Sequence, residues 1–202
     1  MRGERSEVKI YTIIGGVNGA GKSSLTGVLK NRMNDLGVII DVDKMTAKLG
    51  KGEIEGGKAA IAIIDDCLAK GVSFTQETTL SGVRPERTVK AARAKGYYIR
   101  LFYVGLDTLD ESLKRIRNRV EKGGHDIPRN DVTRRFGERF AALRKIMPYC
   151  DEAAFFDNDN GFIQIAEYRD GEIVPIVEKR PSWLVGLLSA DDFSAGEKGD
   201  TP

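Results

Sequence analysis

The chain has 202 residues, 41% of them apolar, which is enough for one well-packed core and tight for two full domains. Its 32 Lys and Arg nearly balance 30 Asp and Glu, and a net charge of +2 argues against a dedicated nucleic-acid binder or a polybasic membrane protein. Cys67 and Cys150 have no metal-ligand spacing and read as reduced cytoplasmic thiols, while the charged start Met1-Arg2-Gly3-Glu4-Arg5 reads as neither a signal peptide nor a membrane span.

The first predicted element is a buried strand carrying Val8, Ile10, Ile13 and Ile14. A glycine-rich loop follows, and then Leu25, Val28, Leu29 and Met33 recur at helical spacing. Strand, loop and helix in that order give the Walker A pattern G-x-x-x-x-G-K-[ST] the context it requires. The residues expected to hold a nucleoside triphosphate are Gly16, Val17, Asn18, Gly19, Ala20, Gly21, Lys22, Ser23 and Ser24. Glycines let the loop turn its backbone N–H groups onto the β-phosphate, and the helix adds the positive end of its dipole. Lys22 is expected to bridge the β- and γ-phosphates and Ser23 to ligate Mg²⁺.

Gly37 reads as the end of that helix, and Val38-Ile39-Ile40 as a short buried strand that delivers Asp41 and Asp43 at its C-terminal end. Open α/β sheets bind ligands at that edge. Either aspartate is a candidate base for an acceptor hydroxyl, and either can instead cap the next helix. A helix bearing Ala59, Ala60, Ile63, Ile64 and Leu68 is predicted to end near Gly71. The strand 72–75 follows, and Gln76-Glu77-Thr78-Thr79 emerges from its end. Glu77 is a candidate for holding a Mg²⁺-bound water or a substrate hydroxyl, with Thr79 on the same side. A helix over 85–95, a strand over 97–104 and a helix over 108–120 continue an alternation that implies a mostly parallel sheet.

Gly123-Gly124-His125-Asp126-Ile127-Pro128 interrupts the helical pattern, and Arg129 or Asn130 opens another amphipathic helix with Val132, Phe136, Phe140, Leu143 and Ile146 inward. From Ser112 to Lys145 there are eleven Lys or Arg against four Asp or Glu, a local excess of +7 that calls for an anionic ligand. Arg115, Arg119, Arg134, Arg135 and Arg139 flank the loop, and planar guanidinium groups suit a γ-phosphoryl whose charge is spread over three oxygens. His125, the only histidine, is expected to shape the loop. A late strand near 153–156, a hairpin turning at Asp170-Gly171 and a closing helix with Trp183, Leu184, Val185, Leu187 and Leu188 complete the pattern. The expectation is one α/β domain over 1–188. It is a three-layer P-loop NTPase fold with a mostly parallel sheet, a helical lid at about 119–135 and a C-terminal β-hairpin, followed by a disordered tail at 189–202.

Taken together, the loop Gly16–Ser23, Asp43, Gln76-Glu77-Thr78-Thr79, the string Arg119-Val120-Glu121-Lys122-Gly123-Gly124-His125-Asp126-Ile127-Pro128 and Arg134-Arg135-Phe136 closely resemble the zeta-toxin kinases. The resemblance runs from about Ile10 to Pro181 and includes Asp157-Asn158, and its R-V-x-x-G-G-H-x-I-P string is far more specific than Walker A. It implies ATP-dependent phosphorylation of a sugar hydroxyl, foremost that of UDP-N-acetylglucosamine, with Mg²⁺ and with an antitoxin as protein partner. It also implies Asp43 as the catalytic base, Lys22, Arg119 and Arg134 or Arg135 as catalytic cations, and Glu77 with Thr79 as the substrate pair. The residues alone leave open Asp41 against Asp43. They leave open, too, a kinase for another small alcohol or a polynucleotide end, and a nucleotide-dependent protein-interaction module. Nucleic acid ranks lower, because the phosphates of ATP account for the basic segment.

Overall fold

A computed structural model describes residues 8–42, 45, 53–159 and 161–189. Among them the chain alternates as β1 (Ile10–Gly15), α1 (Lys22–Lys30), β2 (Val38–Ile40), α2 (Glu53–Lys70), β3 (Phe74–Thr78), α3 (Arg84–Ala94), β4 (Tyr98–Val104), α4 (Leu109–Glu121) and α5 (Arg129–Ile146). A 3₁₀ turn (Met147–Tyr149), β5 (Glu152–Asp157), β6 (Ile163–Arg169), β7 (Glu172–Pro175) and α6 (Ser182–Ser189) follow. The strands form one sheet in the order β2-β3-β1-β4-β5-β6-β7. The pairs among β1 to β5 are parallel, and β6 and β7 add antiparallel pairs.

Strand periodicity divides the core between the two faces of this sheet. Tyr11, Ile13, Ile99, Leu101, Tyr103, Ala153 and Phe155 pack one face with residues of α2, α3, α5 and α6. Ile14, Phe102, Val104 and Phe156 pack the other with Leu25 and Leu29 of α1. Helices therefore cover both faces, giving three layers with β1 an inner strand between β3 and β4. The chain moves from β1 outward to β2 and back to β3, then crosses to β4, so the order reverses beside β1 and opens a crevice at the C-terminal edge.

Three expectations shift. Val8 is exposed and outside β1. The helix after the phosphate loop stops at Lys30, well before Gly37. Gly37 instead has φ 60° and lets its backbone run against the Ser73 carbonyl, where a Cβ would collide. The third strand starts at Phe74 and runs through Thr78, so Gln76 and Glu77 lie inside the sheet rather than in a loop beyond it. The hairpin forms as read: Asp170 and Gly171 have φ 52° and 89°, the positive pair of a type I′ turn. The region of the expected tail, 190–202, lies outside the described residues, as does Asp43.

Candidate active site

Gly16 to Gly21 leave the end of β1 and feed α1. Gly19 has φ 76°, and a Cβ there would sit 2.9 Å from the Ser112 carbonyl, so only glycine lets the loop lie against α4. Two side chains from distant elements hold its carbonyls outward. Ser112 Oγ donates to Asn18 O at 2.7 Å, and Asn158 Nδ2 donates to Ala20 O at 2.9 Å. Across a trans peptide the C=O and the next N–H point opposite ways, so these two bonds turn the Gly19 and Gly21 amides inward. Gly21 precedes α1 with φ 102° and no side chain caps the helix, which leaves its first N–H groups for an anion. Lys22 Nζ donates to Gly16 O at 2.9 Å and Val17 O at 3.0 Å, and Lys22 lines the cavity described below.

Glu77 is buried at the C-terminal end of β3, paired in register with Ile14 of β1. Both of its oxygens are engaged by α1: Ser23 Oγ donates to Oε2 and Thr26 Oγ1 to Oε1, each at 2.6 Å. Among the described residues no Lys or Arg forms an ion pair with it. This buried carboxylate, beside the hydroxyl of the phosphate-loop serine, is an oxygen set that could hold a cation. Hard oxygen ligands suit Mg²⁺, which keeps most of its waters and takes one or two protein groups besides phosphate. Among the described residues no cluster of three His, Cys, Asp or Glu occurs.

Beyond Glu77 the chain turns sharply. Leu80 has φ 63°, a left-handed conformation costing about 1–2 kcal/mol for a side chain of this kind. Its burial and a bond from its N–H to Thr78 Oγ1 at 3.0 Å offset that cost. The turn brings Thr79, Ser81 and Gly82 to the cavity wall. Gln76 faces the wall too, accepting at 2.6 Å from the Tyr11 hydroxyl. Asp41 is buried and lines the cavity from the end of β2.

The opposite wall is the α4–α5 hairpin, which has a small core of its own in Leu113, Ile116, Ile127 and Val132. A Schellman motif ends α4: Gly124 N–H bonds Arg119 O at 2.9 Å and Gly123 N–H bonds Val120 O at 2.8 Å, with Gly123 at φ 83°. Arg119 then reaches forward across Gly124 and donates to the His125 carbonyl at 2.6 Å. Arg135 Nη1 meets Asn18 Oδ1 of the phosphate loop at 3.4 Å. Arg134 lies farther along the cavity, paired with Asp131 at 3.1 Å and Glu138 at 3.2 Å and 3.4 Å from Ser81 Oγ. Arg115 is held by Glu111, by the Asn158 carbonyl at 3.1 Å and by Asp159 at 3.2 Å. Burial, with Asp157 and Glu111 close by, pushes the Asp159 carboxyl above the usual range against the pull of Arg115. Arg139 departs from expectation. Its guanidinium stacks on Phe136 and Phe140, 3.9 and 4.2 Å from their ring centres, and it does not line the cavity.

These walls enclose about 540 Å³. Asn18, Gly19, Gly21, Lys22, Ser23 and Ser24 line it from the loop and the start of α1, Glu77 from β3, Thr79 from the turn after it, and Arg119, Arg134 and Arg135 from the hairpin. Val17 and Ala20 instead pack into the core beneath the loop. Sequence reasoning passed over Thr26, Ser81 and Ser112, and gave Asn158 no role of its own. Thr26 lies three residues beyond Ser23 on one helical face, a signal that was available. Ser112 and Asn158 reach the loop only through the fold. The thiols are not part of the site: both are unpaired and buried, and burial pushes Cys150 up to about 12 and raises Cys67. No helix among the described residues is long and apolar enough to cross a membrane.

No protein-family model matches the chain. An uncharacterized protein of Haemophilus influenzae is 30% identical over 126 residues, which span 60% of this chain and 88% of that one. A chain of the PezAT chromosomal toxin–antitoxin system of Streptococcus pneumoniae is similar in structure with a TM-score of 0.56 at 20% identity, covering 78% of this chain and 71% of that chain. A chain of the AvrRxo1-ORF1:ORF2 complex solved with ATP gives 0.64 at 16% identity, covering 96% of this chain and 66% of that one, so this chain spans just under two thirds of its length. A putative kinase from Chloroflexus aurantiacus gives 0.51 at 15% identity, covering 66% of this chain and 80% of that one. At such identities the structural likeness is one of fold.

Proposed function

The chain belongs to one family with the Haemophilus influenzae protein and has the fold of the zeta-toxin-like P-loop kinases, and we propose that it is an ATP-dependent phosphotransferase acting on a hydroxyl of a small molecule. One observation carries the reading: the phosphate loop, Glu77 and the guanidinium groups of Arg119, Arg134 and Arg135 line a single cavity at the C-terminal edge of the sheet. ATP binding is supported by the loop geometry and by the ATP complex of a structural neighbour.

In this proposal Asp43 takes the proton of the acceptor hydroxyl while its oxygen attacks the γ-phosphorus in line, and the bond to the β–γ bridging oxygen breaks to release ADP. Lys22, Arg119 and Arg135 stabilise the charge on the transferring phosphoryl. Arg135 is favoured over Arg134 for this role because its side chain meets Asn18 of the loop, whereas Arg134 lies over Ser81 on the acceptor side. A bound Mg²⁺ would supply positive charge that offsets the negative charge of the phosphates. Ser23 and Glu77 would hold it, and Thr79 would position the acceptor.

The resemblance makes a UDP-amino-sugar, UDP-N-acetylglucosamine first, the leading acceptor. A protein partner that restrains the kinase belongs to the same proposal, supported by the toxin–antitoxin system and the two-protein complex among the structural neighbours. The proposed setting is the cytoplasm, in keeping with the two unpaired thiols. An ATP-consumption assay with UDP-N-acetylglucosamine, run on the parent and on Asp43→Ala and Lys22→Ala, tests the mechanism. Turnover untouched by both substitutions would refute it. A second reading, another small alcohol as acceptor, is favoured by a specific feature. Among the described residues no Phe, Tyr or Trp lines the cavity, so a uracil ring would meet only the His125 imidazole and guanidinium planes as stacking faces. A screen of acceptors by phosphate-transfer mass spectrometry separates the two.

A further inference from the structure

Thr26 lies outside the Walker A string, yet it touches the group that string needs. It is one turn beyond Ser23 on the same face of α1, and it is buried. Its Oγ1 lies 2.6 Å from Glu77 Oε1 and 3.0 Å from Lys22 O. One hydroxyl proton serves one acceptor at a time, and the shorter bond to a carboxylate is the stronger of the two. Glu77 is thereby fixed at both oxygens, by Thr26 on Oε1 and by Ser23 on Oε2. Without the Thr26 bond the carboxylate would be free to rotate about its last torsion, which is broad and roughly two-fold. With it, Oε2 stays aimed at Ser23, whose proton remains with Glu77 while its oxygen lone pairs stay available to a cation.

We propose that Thr26 is a positioning residue for the metal-bearing nucleotide, its hydroxyl locking Glu77 so that Ser23 and Glu77 meet Mg²⁺ in one geometry. The inference rests on the phosphotransferase reading and adds to it a residue that acts on the metal through another side chain. Groups that orient metal ligands are worth roughly 10–100-fold in metal affinity.

The test is calorimetric binding of a non-hydrolysable ATP analogue to the full chain, with Mg²⁺ and with EDTA. The parent binds more tightly with Mg²⁺. In Thr26→Val, which keeps the shape and removes the hydroxyl, the gain from Mg²⁺ falls about tenfold or more while the affinity in EDTA stays within about twofold of the parent. Thr26→Ser restores the gain. A merely structural role for Thr26 would weaken both arms together and leave their ratio intact, and would show as a lower Tm. Thr26→Ala makes the same comparison should the valine variant fold poorly. A Mg²⁺ gain equal to the parent's in either hydroxyl-free variant overturns this inference alone. A parent that binds the analogue equally with and without Mg²⁺ overturns the phosphotransferase reading and this inference with it.

Discussion

Replacing Glu77 by Gln separates what the residue does for the fold from what it does for the ligand. In the parent a carboxylate that is 7% exposed accepts two hydroxyl bonds and has no ion-pair partner among the described residues. A glutamine of the same shape accepts one of those bonds at its oxygen and donates from its amide to the other hydroxyl, which turns round, so the number of bonds is kept. Two bonds to a charged acceptor become neutral ones, a loss of about 1 kcal/mol each. The desolvation cost of a buried ion, several kcal/mol, disappears at the same time. The net effect on the ligand-free protein is a stability equal to the parent's or about 1 kcal/mol higher, roughly 2–4 °C in Tm for a domain of this size. With Mg²⁺ and nucleotide the sign reverses. A 10–100-fold loss of metal affinity removes about 1.4–2.7 kcal/mol of ligand-induced stabilisation. Thermal unfolding with and without Mg·ATP reads both quantities from one sample set. A variant less stable than the parent without ligand, yet equally stabilised by Mg·ATP, would refute the assignment of Glu77 to the metal.

Other residues test the remaining parts of the site. Asn158→Ala leaves the Ala20 carbonyl without its amide donor, and nucleotide Kd should rise about five- to tenfold, about 1 kcal/mol, by calorimetry. In Gly124→Ala the new methyl would lie 2.5 Å from Arg119 Cγ and 2.9 Å from its carbonyl oxygen. At this exposed position the displacement of Arg119 should lower kcat roughly tenfold, with Tm shifted by no more than about 4 °C. Arg100→Met removes a guanidinium shared by Asp35, at 3.0 Å, and Glu152. Both acids are nearly half exposed and rehydrate, so the loss at pH 7 should be about 1–2 kcal/mol by urea unfolding. The hydrogen bond from Arg100 holds the Asp35 carboxyl below its usual range. That contribution is present above the unfolded value near pH 4 and is lost as pH falls through the lower folded value. The gap between parent and variant should therefore narrow as the pH falls below about 4.

The fold was legible because each of its elements announces itself locally. Ile10 to Ile14, the glycines and Leu25 to Leu29 spell strand, loop and helix before any tertiary contact forms, and Asp170-Gly171 demands a hairpin. Glycine is an ambiguous mark in this chain. Gly37 reads as a helix stop, but α1 ends at Lys30 and the glycine serves a close approach to Ser73. Strand ends are equally hard to read, since Val72 and Thr78 have similar propensities and only pairing with β1 decides between them. In the arginine segment local pattern carries no information on direction. Arg139 belongs to the same basic run as Arg135, yet it is taken up by Phe136 and Phe140 on its own helix.

Glu77 is where sequence and structure part most usefully. At the level of sequence it has two candidate duties, metal and acceptor, because a carboxylate at a strand end suits both. In the fold Ser23 and Thr26 each bond one of its two oxygens from the α1 side. An acceptor hydroxyl would have to compete with bonds to a charged group worth about 1.5–3 kcal/mol each. In the proposed reading the acceptor would meet the groups on either side of Leu80, Thr79 and Ser81, which line the cavity with Arg134. A strained turn is what sets those groups at the wall. Its left-handed residue is a buried leucine rather than a glycine, so the conformation is imposed by packing, and no pattern in the sequence marks it.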